Sequence, residues 1–169
     1  MKMTKVLEEA FNKQIIAELD SWYVYLGLAA WYESKGLHGF RDWMHLQAEE
    51  ELEHAARIRD YLMYRGNEVY YSPVGVDIAK FSGSSPVDGM KESLKHEQFI
   101  TKCIANLLDL SHQHNDHGAV LFLQWFVSEQ EEEEANVQDV LDLLAVAGDS
   151  GSGLLDIDKR LGKRKKEED

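Results

Sequence analysis

The sequence predicts an all-α fold: a four-helix bundle with one long crossover between its second and third helices, and a short fifth helix after the fourth. Three observations carry the prediction. Only two prolines occur, Pro73 and Pro86, and both lie in one mid-chain stretch, so little else interrupts helix. Apolar residues recur at alternating spacings of three and four through four long segments, the period of a helix with one buried face. The second and third segments are joined by about 20 residues, far more than the few that join neighbours in a compact bundle.

The elements follow in chain order. α1 is expected near residues 4–33 and α2 near 38–65, with Gly36 and Gly39 breaking one from the other. Gly66-Asn67 stops α2 as a left-handed cap. Ser84-Ser85-Pro86 supplies an N-cap serine and a proline at the first helical position of α3, expected near 86–114. His114 to Gly118 separates α3 from α4, near 118–147, and Gly148 to Gly153 separates α4 from α5, near 154–161. Residues 1–162 read as one domain and 163–169 as a charged, disordered tail. The α1–α2 and α3–α4 turns are short, so each pair is an antiparallel hairpin. An α2 of about 28 residues is ~42 Å long, and about 20 extended residues reach ~66 Å. The α2–α3 connection can therefore cross the whole bundle and start α3 at the end where α2 starts. The alternative is a slack loop in an ordinary up-down bundle.

Composition narrows the class. A chain of 169 residues that is 44% apolar suits one well-buried globular domain. No stretch approaches the roughly 18 consecutive apolar residues of a membrane helix. Met1-Lys2-Met3-Thr4-Lys5 leads straight into an amphipathic pattern and not a signal peptide, so a cytoplasmic location is expected. The single cysteine, Cys103, excludes an internal disulfide and a four-cysteine metal cluster. A formal charge of −13 argues against nucleic acid, which needs a basic face, and favours metal cations as partners. Solubility alone would explain the acidity until the individual carboxylates are placed.

Their placement changes the reading. The inward stripe of α1 is Phe11, Ile15, Glu18, Trp22, Tyr25 and Ala29, and that of α2 is Phe40, Met44, Gln47, Glu51, His54, Ile58 and Tyr61. α3 gives Met90, Leu94, Glu97, Thr101, Ile104 and Leu108; α4 gives Phe122, Phe126, Glu129, Glu133, Val137, Val140 and Leu144. Each stripe is mostly apolar and each is interrupted near mid-helix by an acidic residue. A carboxylate is rarely buried unless paired or bound to metal. No lysine or arginine lies on the stripes at that level, so bound cations are the expected counter-charge.

Glu51-Leu52-Glu53-His54 is an E-x-x-H, whose ends share a helix face and can grip one ion. Alone the motif is weak, and its support is the set of glutamates on the other stripes. In the run from Glu129 to Glu134, Glu131 and Glu134 read as solvated, while Glu129 and Glu133, with Glu132 beside them and Glu50 next to Glu51, can form an additional, partly exposed metal site. Oxygen-rich ligation with one imidazole suits Fe(II) or Mn(II) better than zinc or calcium. Tyr25, on the face of Glu18, is either a hydrogen-bond or electron donor to the site or a core tyrosine. His112, His114 and His117 read as exposed turn residues, His96 points off its stripe, and Trp22, Trp31, Trp43 and Trp125 read as packing.

The segments Gln14-Ile15-Ile16-Ala17-Glu18-Leu19, Ala48-Glu49-Glu50-Glu51-Leu52-Glu53-His54, His96-Glu97-Gln98 and Phe122-Leu123-Gln124-Trp125-Phe126-Val127-Ser128-Glu129-Gln130 resemble the non-haem ferritins of bacteria and archaea. The resemblance spans nearly the whole chain, including α5. It implies that Glu18, Glu51 and His54 hold one iron, that Glu51 bridges to a second iron held also by Glu97 and Glu133, and that Gln130 and Tyr25 stand beside the pair. It implies a third iron position at Glu50, Glu129 and Glu132 with Glu133. It further implies oxidation of Fe(II) by dioxygen or peroxide and ferric mineral stored in a hollow cage of 24 subunits. Haem is not expected, because the usual haem-binding methionine lies near position 52, here Leu52. Bacterioferritins and rubrerythrins carry a second E-x-x-H on a later helix, and neither Glu129 nor Glu132 is followed by a histidine three places on. Two rival readings stay open on the residues: a helical oligomer that binds metal passively without oxidase activity, and a di-metal oxygenase acting on an organic substrate. The second needs an apolar pocket for which Trp22, Tyr25 and Phe126 leave little room.

Overall fold

The computed structural model describes residues 2–75 and 81–164. Those residues form five α-helices, α1 Lys5–Ser34, α2 His38–Tyr64, α3 Pro86–Gln113, α4 His117–Ala147 and α5 Gly151–Leu161, and no strand. No helix among them is long and apolar enough to cross a membrane.

The caps explain the boundaries. The Thr4 hydroxyl accepts from the Leu7 amide at the start of α1. Gly66 ends α2 at φ +74°, the left-handed geometry expected of it. Pro86 opens α3 behind Ser85, and the Asp88 carboxylate reaches back to accept from the Ser84 and Ser85 amides at 2.8 and 2.9 Å. Asp116 and Ser150 cap α4 and α5 by accepting from the Ala119 and Gly153 amides.

Two expectations need correction. Gly39 lies inside α2 and does not break α1 from α2. A Cβ there would fall 1.6 Å from the Asp158 carbonyl oxygen, so glycine is what lets α5 cross the start of α2. α5 begins at Gly151 and not at 154, because the Ser150 cap holds a first turn that its glycines only weaken.

The crossover can be traced along α1. The Tyr70 amide donates to Asn12 and the Gly75 amide to Asp20, Phe81 packs edge-on against Trp31, and the Tyr32 hydroxyl donates to the Pro86 carbonyl. The connection thus travels from the beginning of α1 to its end, and α3 starts where α2 starts. At the opposite end Arg65, closing α2, pairs with Asp116, opening α4, at 2.8 Å. α2 and α4 therefore run antiparallel, as do the two hairpins.

The apolar core is divided. One cluster gathers Tyr25, Leu28, Tyr32, Phe40, Met44, Met90 and Val137 near α5; the other gathers Leu7, Phe11, Ile15, Ile58, Ile104 and Leu123 at the far end. Between them each long helix contributes buried polar residues. The buried face of α4 is Leu123, Phe126, Gln130, Glu133 and Val137, with Phe122 and Glu129 only half-buried. On α3, Ser93, Ile100 and Leu107 are buried while Leu94, Thr101 and Leu108 are half-buried. A helix wedged between two neighbours buries a face wider than one three-four stripe, so positions beside the stripe are covered too.

Candidate metal centre

Glu18 of α1, Glu51 and His54 of α2, Glu97 of α3 and Glu133 of α4 meet in the polar layer, all at 4% exposure or less. The three-residue spacing of Glu51 and His54 puts both on one face of α2, with His54 Nδ1 3.4 Å from Glu51 Oε2. One ligand atom from each of Glu18, Glu51 and His54 lies within 4.8 Å of the others. Three of the side-chain atoms here, Glu18 Oε2, Glu51 Oε2 and His54 Nδ1, are buried without a hydrogen-bond partner. Orphaned polar atoms are costly, and three converging ones leave a cation as the missing partner.

Four other carboxylate oxygens of the layer are held. Gln14 donates to Glu18 at 2.9 Å, Gln47 to Glu133 at 2.6 Å, and Gln130 to Glu97 at 3.1 Å. The Tyr25 hydroxyl donates to Glu97 and lies 3.1 Å from the Ser93 hydroxyl. These neutral donors orient the carboxylates without neutralising them.

The electrostatics record the crowding. Burial pushes the Glu18 and Glu97 carboxyls up, and pushes Glu51 well up, where the charge of Glu97 adds to it. Burial and the charge of Glu97 push Glu133 up to about 8. Burial opposes the charged form of His54, yet the close Glu129 and Glu51 carboxylates, 3.8 and 3.4 Å from its ring nitrogens, and Glu18 outweigh it, so its pKa rises well above the ordinary imidazole range. Tyr25 is driven well up by burial and by Glu97, Glu51 and Glu133. The metal-free centre holds protons that cations would replace.

Outside this layer a cleft of about 640 Å³ opens between α2 and α4, lined by Glu50, Glu53, Glu129, Glu132, Arg57 and Arg164 among others, with His54 and Glu133 at its inner wall. His54, Glu129 and Glu133 form a second group whose ligand atoms lie within 4.8 Å. Glu132 is exposed on the cleft, and Glu50 is paired with Arg164 at 3.1 Å.

The Ferritin-like domain family model matches residues 8–146. The chain belongs to the ferritin family. The bacterial non-heme ferritin of Bacteroides fragilis is 33% identical over 162 residues, 96% of this chain and 99% of the relative. That of Escherichia coli is 37% identical over 153 residues, 90% and 92% of the two chains. An open-pore ferritin from the hyperthermophilic archaeon Archaeoglobus fulgidus superposes with a TM-score of 0.93 at 37% identity, covering 96% of this chain and 98% of that one. Iron storage is thus the function class of this ferritin.

Within the ferritin centre, sequence reasoning gave no role to Gln14, Gln47, Ser93 or Arg164. Gln47 was already on the α2 stripe, and a neutral amide on a buried stripe is a signal that it serves a partner. Arg164 lay in the segment read as a disordered tail; its side chain instead rests on α2, and 165–169 fall outside the described residues. The three turn histidines and the metal site stand at different levels: His112 and His117 are exposed and His114 contacts Thr4. His96 is half-buried and bonded to Ser21.

Proposed function

We propose that this ferritin oxidises Fe(II) with dioxygen at a carboxylate-bridged pair of irons and stores the ferric product in an oligomeric cage. Glu18, Glu51 and His54 hold the first iron. Glu51, Glu97 and Glu133 hold the second, with Gln130 and Tyr25 fixing Glu97. Glu50, Glu129 and Glu132, with Glu133, hold a third on the cleft. Two Fe(II) become two Fe(III) while one dioxygen takes the two electrons and two protons and leaves as hydrogen peroxide. Clustered carboxylates favour this direction because they stabilise the higher cation charge.

The observation that carries the reading is the convergence of Glu18, Glu51 and His54, whose atoms Oε2, Oε2 and Nδ1 are buried without a hydrogen bond. The acidic lining of the cleft suits cations better than an organic substrate. The exposed Tyr23, Tyr70 and Tyr71 on α1 and the crossover give subunits of a cage apolar surface to join through, and a mass of 24 subunits by light scattering is the expected outcome.

Stopped-flow absorbance after mixing with Fe(II) in air tests the chemistry. The parent protein is expected to give a fast ferric signal that Glu51→Ala abolishes while helical content stays. Equal rates in the two proteins would return the passive metal-binding reading.

A further inference from the structure

The segment after α5 is fastened back onto it: the Gly162, Lys163 and Arg164 amides donate to the Asp158, Arg160 and Leu161 carbonyls, each at 3.1 Å. α5 is itself tied to α2, because Asp158 accepts from the Gly39 and Phe40 amides. Arg164 is thereby delivered to the wall of the acidic cleft. Its guanidinium lies 5.3 Å from the centre of the Trp43 ring. One terminal nitrogen donates to the Gln47 side-chain oxygen; the other reaches both Glu50 carboxylate oxygens, at 3.2 and 3.1 Å.

A guanidinium only donates, so the group facing it must accept. Gln47 therefore turns its oxygen to Arg164 and its NH2 to Glu133, and the row from Arg164 to Glu133 has one polarity. The Arg164 and Glu50 side chains are 18% and 14% exposed, so the pair is largely sheltered from the screening that weakens surface ion pairs.

We propose that Arg164 is a built-in competitor for the outer iron position: it engages both oxygens of Glu50, and a cation binds there only by displacing it. The inference rests on the reading of Glu50, with Glu129, Glu132 and Glu133, as that position. The guanidinium cannot be deprotonated, so it competes at any working pH. It is tethered a few residues from α5, so its effective concentration at Glu50 does not depend on the solution. The outer position therefore binds weakly and releases readily, while Glu18, Glu51 and His54 keep their affinity.

Anaerobic calorimetric titration of the assembled protein with Fe(II) reads each class of site without turnover. The parent is expected to show two tight ions per chain and a weaker third. Arg164→Gln should tighten the third about tenfold, the size set by losing one charge-assisted competitor, and leave the two tight ions unchanged. Arg164→Lys should stay near the parent, since it keeps the charge. Glu50→Gln should lose the third ion, with or without Arg164. A strut that merely ties α5 to α2 would lower the unfolding midpoint and leave the third affinity where it was. Loss of the third ion in Glu50→Gln with no gain in Arg164→Gln overturns the competitor and spares the outer site. Parent-like titration of Glu50→Gln overturns both.

Discussion

Glu51 is placed where a carboxylate is least stable and most useful. Burial and the neighbouring Glu97 charge hold its pKa far above the usual range, and one of its oxygens has no partner. Replacing it by glutamine keeps the shape and removes the charge. Glu51→Gln is expected to raise the unfolding midpoint of the chelated protein by about 2–4 °C, the effect of roughly 1 kcal/mol in a chain of this size, and to eliminate fast iron oxidation. A comparable drop in the midpoint would mean that the ionised group stabilises the metal-free fold. Tyr25 acts in the opposite sense: it supplies Glu97 with a buried donor. Tyr25→Phe should cost about 1 kcal/mol in urea unfolding. At this scale Glu18, Glu51, Glu97 and Glu133 were legible because an acid on an apolar stripe violates the burial rule. The half-buried setting of Glu129 was not, since a spacing of three or four does not say which edge of a wide face a residue occupies. Gln14 and Arg164 broke no rule and so gave no signal.

At the scale of elements, α5 acts as the missing cap of α2. Leu37 precedes α2 without a side-chain cap of its own, and Asp158, from the far end of the sequence, accepts from the Gly39 and Phe40 amides at 2.8 and 3.0 Å. An acidic group also complements the positive end of the helix. Asp158→Ala is expected to cost about 1–2 kcal/mol and to raise hydrogen exchange in α5 and the first turn of α2 together. Protection lost from α5 alone would show that the contact does not stabilise α2. Helix limits set by Pro86, Ser85 and Gly66 could be read locally, because a cap is a short-range arrangement. The role of Gly39 could not, since its constraint comes from a residue more than a hundred positions away. The crossover was legible only as a length; its path is fixed by Asn12, Asp20 and Trp31, which are unremarkable in sequence.

The whole molecule stores its functional site as a fault in its core, and pH should expose that fault. In the folded, metal-free chain Glu133 keeps its proton up to about pH 8, while an unfolded glutamate releases it near 4.5. Between those values the native state binds more protons than the unfolded state, so stability falls as pH rises. Glu18, Glu51 and Glu97 are shifted the same way. His54 is also raised: its contribution is complete below the ordinary 6.5 and is lost as pH climbs through its higher folded value. All five groups therefore pull in one direction, with Glu133 alone contributing on the order of a few kcal/mol. Chelated protein is expected to unfold at progressively lower urea concentration from pH 5 to pH 8. Redox-inert Co(II) should restore the midpoint, more at pH 8 than at pH 5, and release protons on binding near pH 7. A metal-free protein that gains stability over this range would mean that the four carboxylates and the imidazole do not share one dry layer, since only their joint burial makes ionisation and folding oppose each other.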